Sequence, residues 1–275
     1  LRLEKKTDKY TSINKKNWNE RAGAHFQSKD YRVKEFLSGK STLLPLELQE
    51  LGNVKGKKLL HLQCHFGLDT LSWARKGAIV TGVDFSDKAI KLANELKKKT
   101  NLSSTFICSD IPELPGKLKG KFDIVFASYG VLCWISDLAK WIEIAGSYLK
   151  RGGILYIIDG HPFRTALDYD YKRMGDIFWV ECDYFHKKTP NKYVFEYSYV
   201  RIDKKLKNKI NYEWQHSMSD IINPIIKNKL KIEFIHEFPF GFFNWGRMKK
   251  MRNAYWKSLH KKSIPMILSI KARKY

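Results

Sequence analysis

Residues 58–84, KLLHLQCHFGLDTLSWARKGAIVTGVD, limit what this chain can fold into more than any other stretch. Leu59, Leu60 and Leu62 form a short apolar run that reads as a buried strand. The turn Gln63-Cys64-His65-Phe66-Gly67 follows, and Asp69 and Thr70 are good caps for a helix that carries Leu71 and Ala74 inward. A second strand, Ala78 to Val83, ends on Asp84, an acid 17 residues after Gly67. Strand, turn, helix and strand at this spacing make a crossover unit with the layout of a nucleoside site. The helix N-terminus faces an anionic group, and the acid at the second strand end takes ribose hydroxyls.

The glycines narrow the nucleoside. A dinucleotide fingerprint needs G-x-G-x-x-G so that backbone can close on a pyrophosphate, and here only Gly67 is glycine in the turn. The stretch instead resembles the first motif of the class I S-adenosylmethionine-dependent methyltransferases, roughly hydrophobic-D-hydrophobic-G-C-G-x-G. On that pattern His61 stands in place of the acid, Gln63 of the first glycine and His65 of the second, while Gly67 keeps the third. HLQCHFGLDT is similar to a recurrent variant in a sub-group of bacterial and archaeal methyltransferases, and the resemblance runs from about Asn17 to the C-terminus. It implies S-adenosylmethionine as cofactor and S-adenosylhomocysteine as product. It also implies cofactor-binding roles for Gln63, Cys64, His65 and Gly67 in the turn, for Asp84, Phe85 and Ser86 after the second strand, and for Ser128. Asp110 would accept from the adenine amino group and Ile111 would pack on the ring. In methyltransferases of this type an N-terminal segment often closes over the cofactor, which brings in Trp18 of NWNERAGAHF; the plain alternative is that Trp18 and Phe26 staple an arm to the core.

The rest of the chain alternates in the same manner as far as residue 162. Ser86 caps a helix with Ala89, Leu92, Ala93 and Leu96 at helical spacing, Thr105 to Cys108 is a third strand, and Lys121 to Ala127 a fourth. That strand ends on Ser128-Tyr129-Gly130-Val131, without the prolines of the N/D-P-P-Y signature of base-directed amino methyltransferases. Asp137 opens a helix, Arg151-Gly152-Gly153 is a turn, and Ile154 to Ile158 is the fifth strand, followed by Asp159-Gly160-His161-Pro162. Ligands of open α/β sheets sit beyond the carboxyl ends of the strands, so Tyr129 and His161 are the candidate catalytic pair: a hydroxyl to orient the acceptor and an imidazole to take a proton. The alternative is that both only brace the strand ends.

Residues 163–214 break the alternation. Tyr193, Phe195, Tyr197 and Tyr199 alternate with polar neighbours, 203–209 is a charged turn, and Ile210 to Trp214 returns. They read as an antiparallel insertion with Phe178 and Trp179 beneath it, capping the substrate pocket; the alternative is a sheet extension with no ligand role. A helix over Ser217–Lys227, shortened or kinked by Pro224, a strand over Lys231–His236, an aromatic loop from Phe238 to Trp245 with Arg247 beside it, and a closing strand over Pro265–Lys271 complete the chain. The expected fold is therefore a doubly wound, Rossmann-like α/β sandwich of seven strands, mostly parallel, the last antiparallel by the resemblance. It divides into an arm and helical segment (1–52), a core (53–162 and 215–275) and the inserted cap (163–214).

Composition sets the remaining bounds. The chain of 275 residues can bury a sizeable core. No apolar run approaches the roughly 20 residues of a membrane span, and LRLEKKTDKY lacks a signal-peptide core, which with four scattered cysteines points to the cytoplasm and away from a structural zinc or other metal site. The net charge of +23 comes from scattered lysines, favouring a solvated surface over a nucleic-acid partner. The expected activity is methyl transfer to a small-molecule acceptor at oxygen or nitrogen. The rivals are an RNA or protein methyltransferase using the basic surface and a catalytically silent cofactor-binding module.

Overall fold

The apolar runs become strands and the patterned stretches between them become helices. A computed structural model describes residues 9–167, 180–200, 204–244, 248–259 and 262–275. The N-terminal segment forms α1 (Lys9–Gln27), α2 (Val33–Leu37) and α3 (Pro45–Leu51). The crossover unit gives β1 (Lys58–Leu62), α4 (Leu68–Arg75) and β2 (Ile79–Asp84), and then come α5 (Asp87–Thr100), β3 (Ser104–Cys108), the short α6 (Leu114–Lys117), β4 (Phe122–Ser128), α7 (Leu138–Ser147), β5 (Leu149–Gly160) and the short α8 (Pro162–Thr165). The insertion pairs β6 (Asn191–Val194) with β7 (Ile210–Glu213), antiparallel as its alternation predicts. After it stand α9 (Met218–Lys227), β8 (Leu230–Phe238), β9 (Phe240–Gly241), β10 (Met248–Lys250), β11 (Trp256–Ser258) and β12 (Ile267–Lys274).

Seven strands share one sheet in the order β3-β2-β1-β4-β5-β12-β8. Pairing is parallel from β3 to β5, and β12 runs antiparallel to both β5 and β8. The last strand is antiparallel, as expected, and is wedged between its two neighbours rather than added at the edge. Alternate residues of β4 show why the sheet is buried on both sides. Val125 and Ala127 pack with Trp141 and Ile142 of α7 and Ile221 and Ile225 of α9, while Ile124 and Phe126 pack with Leu51 of α3, Trp73 of α4 and Tyr255.

Several sequence expectations are corrected. The N-terminal arm is helical from Lys9 onward; its buried stripe is mostly polar, so the sequence shows no apolar period there. Helix α4 begins at Leu68, with Gly67 as its N-cap; Asp69 and Thr70 lie in the first turn and bond Thr42 and His61 instead. Strand β5 starts at Leu149 and carries the Gly152-Gly153 pair within it, through a register shift against β4. The aromatic loop after β8 contains β9, which joins β10 and β11 in a small antiparallel sheet. Helix α9 continues through Pro224 to Lys227. Residues 1–8, Phe178, Trp179, Asp203, Trp245 and Arg247 lie outside the described residues. Among the described residues no helix is long and apolar enough to cross a membrane.

Candidate functional site at the strand ends

Sheet order brings the C-terminal ends of β1, β2 and β3 together, and the turn after β1 is shaped there by three left-handed residues. Gln63, His65 and Gly67 have φ of 50°, 52° and 79°. The first two are not glycine, at a cost of about 1–2 kcal/mol each. Each has a hold that offsets it: Gln63 Oε1 accepts from Trp141 Nε1 at 3.0 Å, and the His65 amide donates to Asp84 Oδ2 at 2.8 Å. Gly67 is required by packing as well as by φ, since a Cβ there would lie 2.6 Å from the Phe106 ring. Cys64 is buried and its amide donates to the Val83 carbonyl at 2.9 Å. His61 is also buried, with Nδ1 on Thr70 Oγ1 at 2.8 Å; burial holds its pKa down at about 3.

Asp84 is the centre of this edge. It is 6% exposed, and its oxygens accept one backbone N–H each, Oδ2 from His65 and Oδ1 from Ser86. Burial raises its pKa to about 6 against the pull of those amides and Lys15. Phe85 follows, its carbonyl facing Cys108 Sγ. Ser86 Oγ accepts from the Ala89 amide, capping α5, and donates to Asn19 Oδ1 of α1 at 2.6 Å. At the end of β3, Asp110 Oδ1 accepts from its neighbour Ile111 N, and Ile111 is 3% exposed; burial raises the Asp110 pKa. Trp18 of α1 roofs the turn, edge-on to His65 at 5.4 Å and to Trp134 at 5.2 Å. His65 Nε2 is buried without a hydrogen-bond partner, and burial lowers the ring pKa to about 3. These features fit a nucleoside cofactor. Asp84 is held rigidly yet each oxygen keeps a second lone pair, Asp110 offers Oδ2 next to it, and the turn holds an unmatched polar atom.

The ends of β4 and β5 differ. Ser128 is buried at the last β4–β5 pair, opposite Ile158. Tyr129, at φ 54°, sends its hydroxyl to Glu47 Oε2 of α3 at 2.6 Å and packs on Phe242. Burial raises the Glu47 pKa to about 8. His161 Nδ1 accepts from Phe163 N as the cap of α8, and Nε2 lies 2.7 Å from Glu237 of β8; burial lowers its pKa against the pull of that carboxylate. The two tips thus meet different partners from different elements. Between them, Asp159 Oδ1 accepts from Gly130 N and Gly160 N, and Oδ2 from Val131 N and Leu132 N.

The insertion is fastened to α1. Asn14 exchanges two hydrogen bonds with Tyr212, Nδ2 to its carbonyl at 2.7 Å and Oδ1 from its amide at 2.8 Å. Glu20 accepts from Lys207 N and Asn208 N, Asn17 Nδ2 donates to the Asn208 carbonyl, and His25 Nε2 lies 2.7 Å from Ser198 Oγ. Sequence reasoning missed Arg21 and Glu213 here. The available signal was the spacing of Asn14, Asn17, Arg21 and His25, a helical stripe written in polar residues.

Residues 60–157 match the model of a family described as methyltransferase domain. A ubiquinone biosynthesis O-methyltransferase of Coxiella burnetii is 34% identical over 103 residues, 38% of this chain and 43% of that protein. A Methanocaldococcus jannaschii protein named for N5-glutamine methyl transfer is 31% identical over 134 residues, 41% of this chain and 66% of that one. The chain therefore matches less than two thirds of the length of either relative. Among solved structures, an S-adenosylmethionine-dependent methyltransferase from Mesorhizobium loti superposes with a TM-score of 0.60 at 19% identity, over 86% of this chain and all of that one, which establishes a common fold. Residues 60–157 thus match a methyltransferase-domain family, and the chain shares the fold of a solved S-adenosylmethionine-dependent methyltransferase.

Proposed function

We propose that the chain transfers a methyl group from S-adenosylmethionine to the oxygen or nitrogen of a small-molecule acceptor. The observation that carries this is Asp84: a buried acid at the end of β2, fixed by two backbone amides, with lone pairs left for a pair of hydroxyls. In this reading Asp84 takes the ribose hydroxyls, Asp110 the adenine amino group, Ile111 lies against the ring, and Trp18 with the 63–67 turn encloses the remainder. Gln63, Cys64, Gly67, Phe85, Ser86 and Ser128 shape that cradle. When bound, the cofactor supplies an electrophilic methyl on a good leaving group, so positioning accounts for most of the acceleration. Tyr129 and His161 act as braces, through Glu47 and Glu237, rather than as orienting hydroxyl and base. The acceptor lies between α1 and the 163–214 insertion, whose aromatic residues suit an enclosed small molecule better than a polymer. Relatives named for O- and N-methylation support an acceptor atom of either kind.

Calorimetry with S-adenosylhomocysteine tests the cofactor site, and formation of that product from S-adenosylmethionine with a metabolite pool tests turnover. Binding with turnover is expected. Binding without turnover on any pool indicates a silent cofactor-binding module, and a salt-sensitive mobility shift with RNA that supports turnover shifts the acceptor to nucleic acid.

A further inference from the structure

Helix α1 turns two different faces to the molecule. Lys15, Asn19, Ala22 and Phe26 face the nucleoside edge: Lys15 Nζ is 3.4 Å from Asp87, Asn19 bonds Ser86, and Ala22 and Phe26 join the apolar cluster around Phe66. Asn14, Asn17, Arg21 and His25 face the insertion and are all buried. Three of these four keep a buried polar atom with no partner: Asn17 Oδ1, Arg21 Nε and His25 Nδ1. Among the described residues seven such atoms occur, each losing its hydration without replacement, and three of them stand on this one helix face. A row of three along one helix face marks a surface built to meet something else.

Arg21 defines what that is. It is 4% exposed, yet among the described residues no carboxylate stands within ion-pair distance of it; Glu213 acts on it only at longer range. Instead its guanidinium carbon lies 5.7 Å from the ring centres of Trp18 and Phe195 and 5.8 Å from that of Tyr199. Ring faces offset part of a buried positive charge but accept no in-plane hydrogen bond. The planar fork of N–H donors is left for a planar anion that can be gripped at two points. Two of the three rings, Phe195 and Tyr199, belong to the insertion, while the nucleoside edge meets Asn19 on the neighbouring face of α1 and its His65 packs on Trp18 and His25. Resting on the methyltransferase reading, the geometry points to Arg21 as the residue that recognises a carboxylate on the methyl acceptor, held between α1 and the insertion with the rings of Trp18, Phe195 and Tyr199 around it.

The cofactor carries a carboxylate too, so the test separates the two sources. The full chain is titrated first with S-adenosylhomocysteine, then, loaded with it, with benzoate and with benzamide as its uncharged counterpart. Benzoate is expected to bind the loaded wild-type chain and benzamide at least tenfold more weakly. Arg21→Gln should weaken benzoate at least tenfold while leaving S-adenosylhomocysteine within twofold. Should that variant not fold, Arg21→Lys, which keeps the charge and loses the fork, should still weaken benzoate about fivefold. If either variant weakens S-adenosylhomocysteine as much as benzoate, the guanidinium serves the cofactor and the proposal is overturned. It is overturned equally if benzoate fails to bind the loaded wild-type chain or binds it no better than benzamide does. Failure of S-adenosylhomocysteine to bind the wild-type chain would instead overturn the methyltransferase reading.

Discussion

Asp84 and Asp159 end the second and fifth strands of one sheet, both are buried, and burial raises the pKa of both. They differ in how much hydrogen-bonding capacity the fold consumes. Asp84 accepts two backbone amides, one per oxygen; Asp159 accepts four, which fills the roughly four lone-pair sites of a carboxylate. Position at a strand end is therefore a weak guide to role. An acid that the backbone has saturated is a brace, and an acid held firmly with lone pairs left over can take a ligand. By the same accounting the Tyr129 hydroxyl is spent on Glu47.

The comparison can be broken most directly at Asp159. Asp159→Ala strands four buried amides and should cost about 3–4 kcal/mol, lowering the melting temperature by roughly 10 °C, with S-adenosylhomocysteine affinity little changed in the folded fraction. A loss below about 1 kcal/mol would mean those amides find other partners. Asp84→Ala should act the other way round, weakening S-adenosylhomocysteine by about 10–100-fold in calorimetry, the worth of ~1.5–3 kcal/mol for hydrogen bonds to a charged acceptor, with a smaller change in stability.

Acid pH sharpens the same contrast. The folded pKa of Asp84, about 6, lies above the ordinary carboxylate value, so the folded protein without ligand holds the extra proton between the two. The contribution of this group to stability is greatest at low pH and declines as pH rises to about 6. The form that accepts hydroxyls best is the ionised one. S-adenosylhomocysteine affinity should then be level above pH 6 and fall by up to tenfold per unit below it, and Asp84→Asn should flatten the profile. A flat wild-type profile would contradict the assignment. The smallest effect is expected at Tyr129→Phe, about 1 kcal/mol of stability from the bond to Glu47 with turnover within twofold; a tenfold loss of turnover at unchanged stability would return the hydroxyl to the acceptor site.

Strands β1, β2, β4 and β5 were legible because burial on both faces writes them as apolar runs, the edge strand β3 from its Phe106-Ile107-Cys108 run, and Asp84 and Asp110 because each follows such a run. The position of β12 between β5 and β8 was not, since pairing partners leave no mark in periodicity. Helix α1 was hidden for a sharper reason: its buried face is Asn14, Asn17, Arg21 and His25, and a reader of hydrophobic period sees an exposed arm. The partners of Tyr129 and His161, Glu47 and Glu237, are distant in sequence, and only the folded chain defines their approach.

The fastening of Asn14 to Tyr212 has a consequence for how the molecule comes into being. The partners are separated by 198 residues, and Asn17 with Asn208 by 191. A chain emerging from the ribosome N-terminus first offers the Asn14-to-His25 face to water long before β7 exists. Helix α1 can settle against α5 early, through Asn19 and Ser86, but its other side must wait. The enclosure around Trp18 and Arg21 therefore cannot close until β7 has been made, and β8 and β12 of the central sheet follow later still.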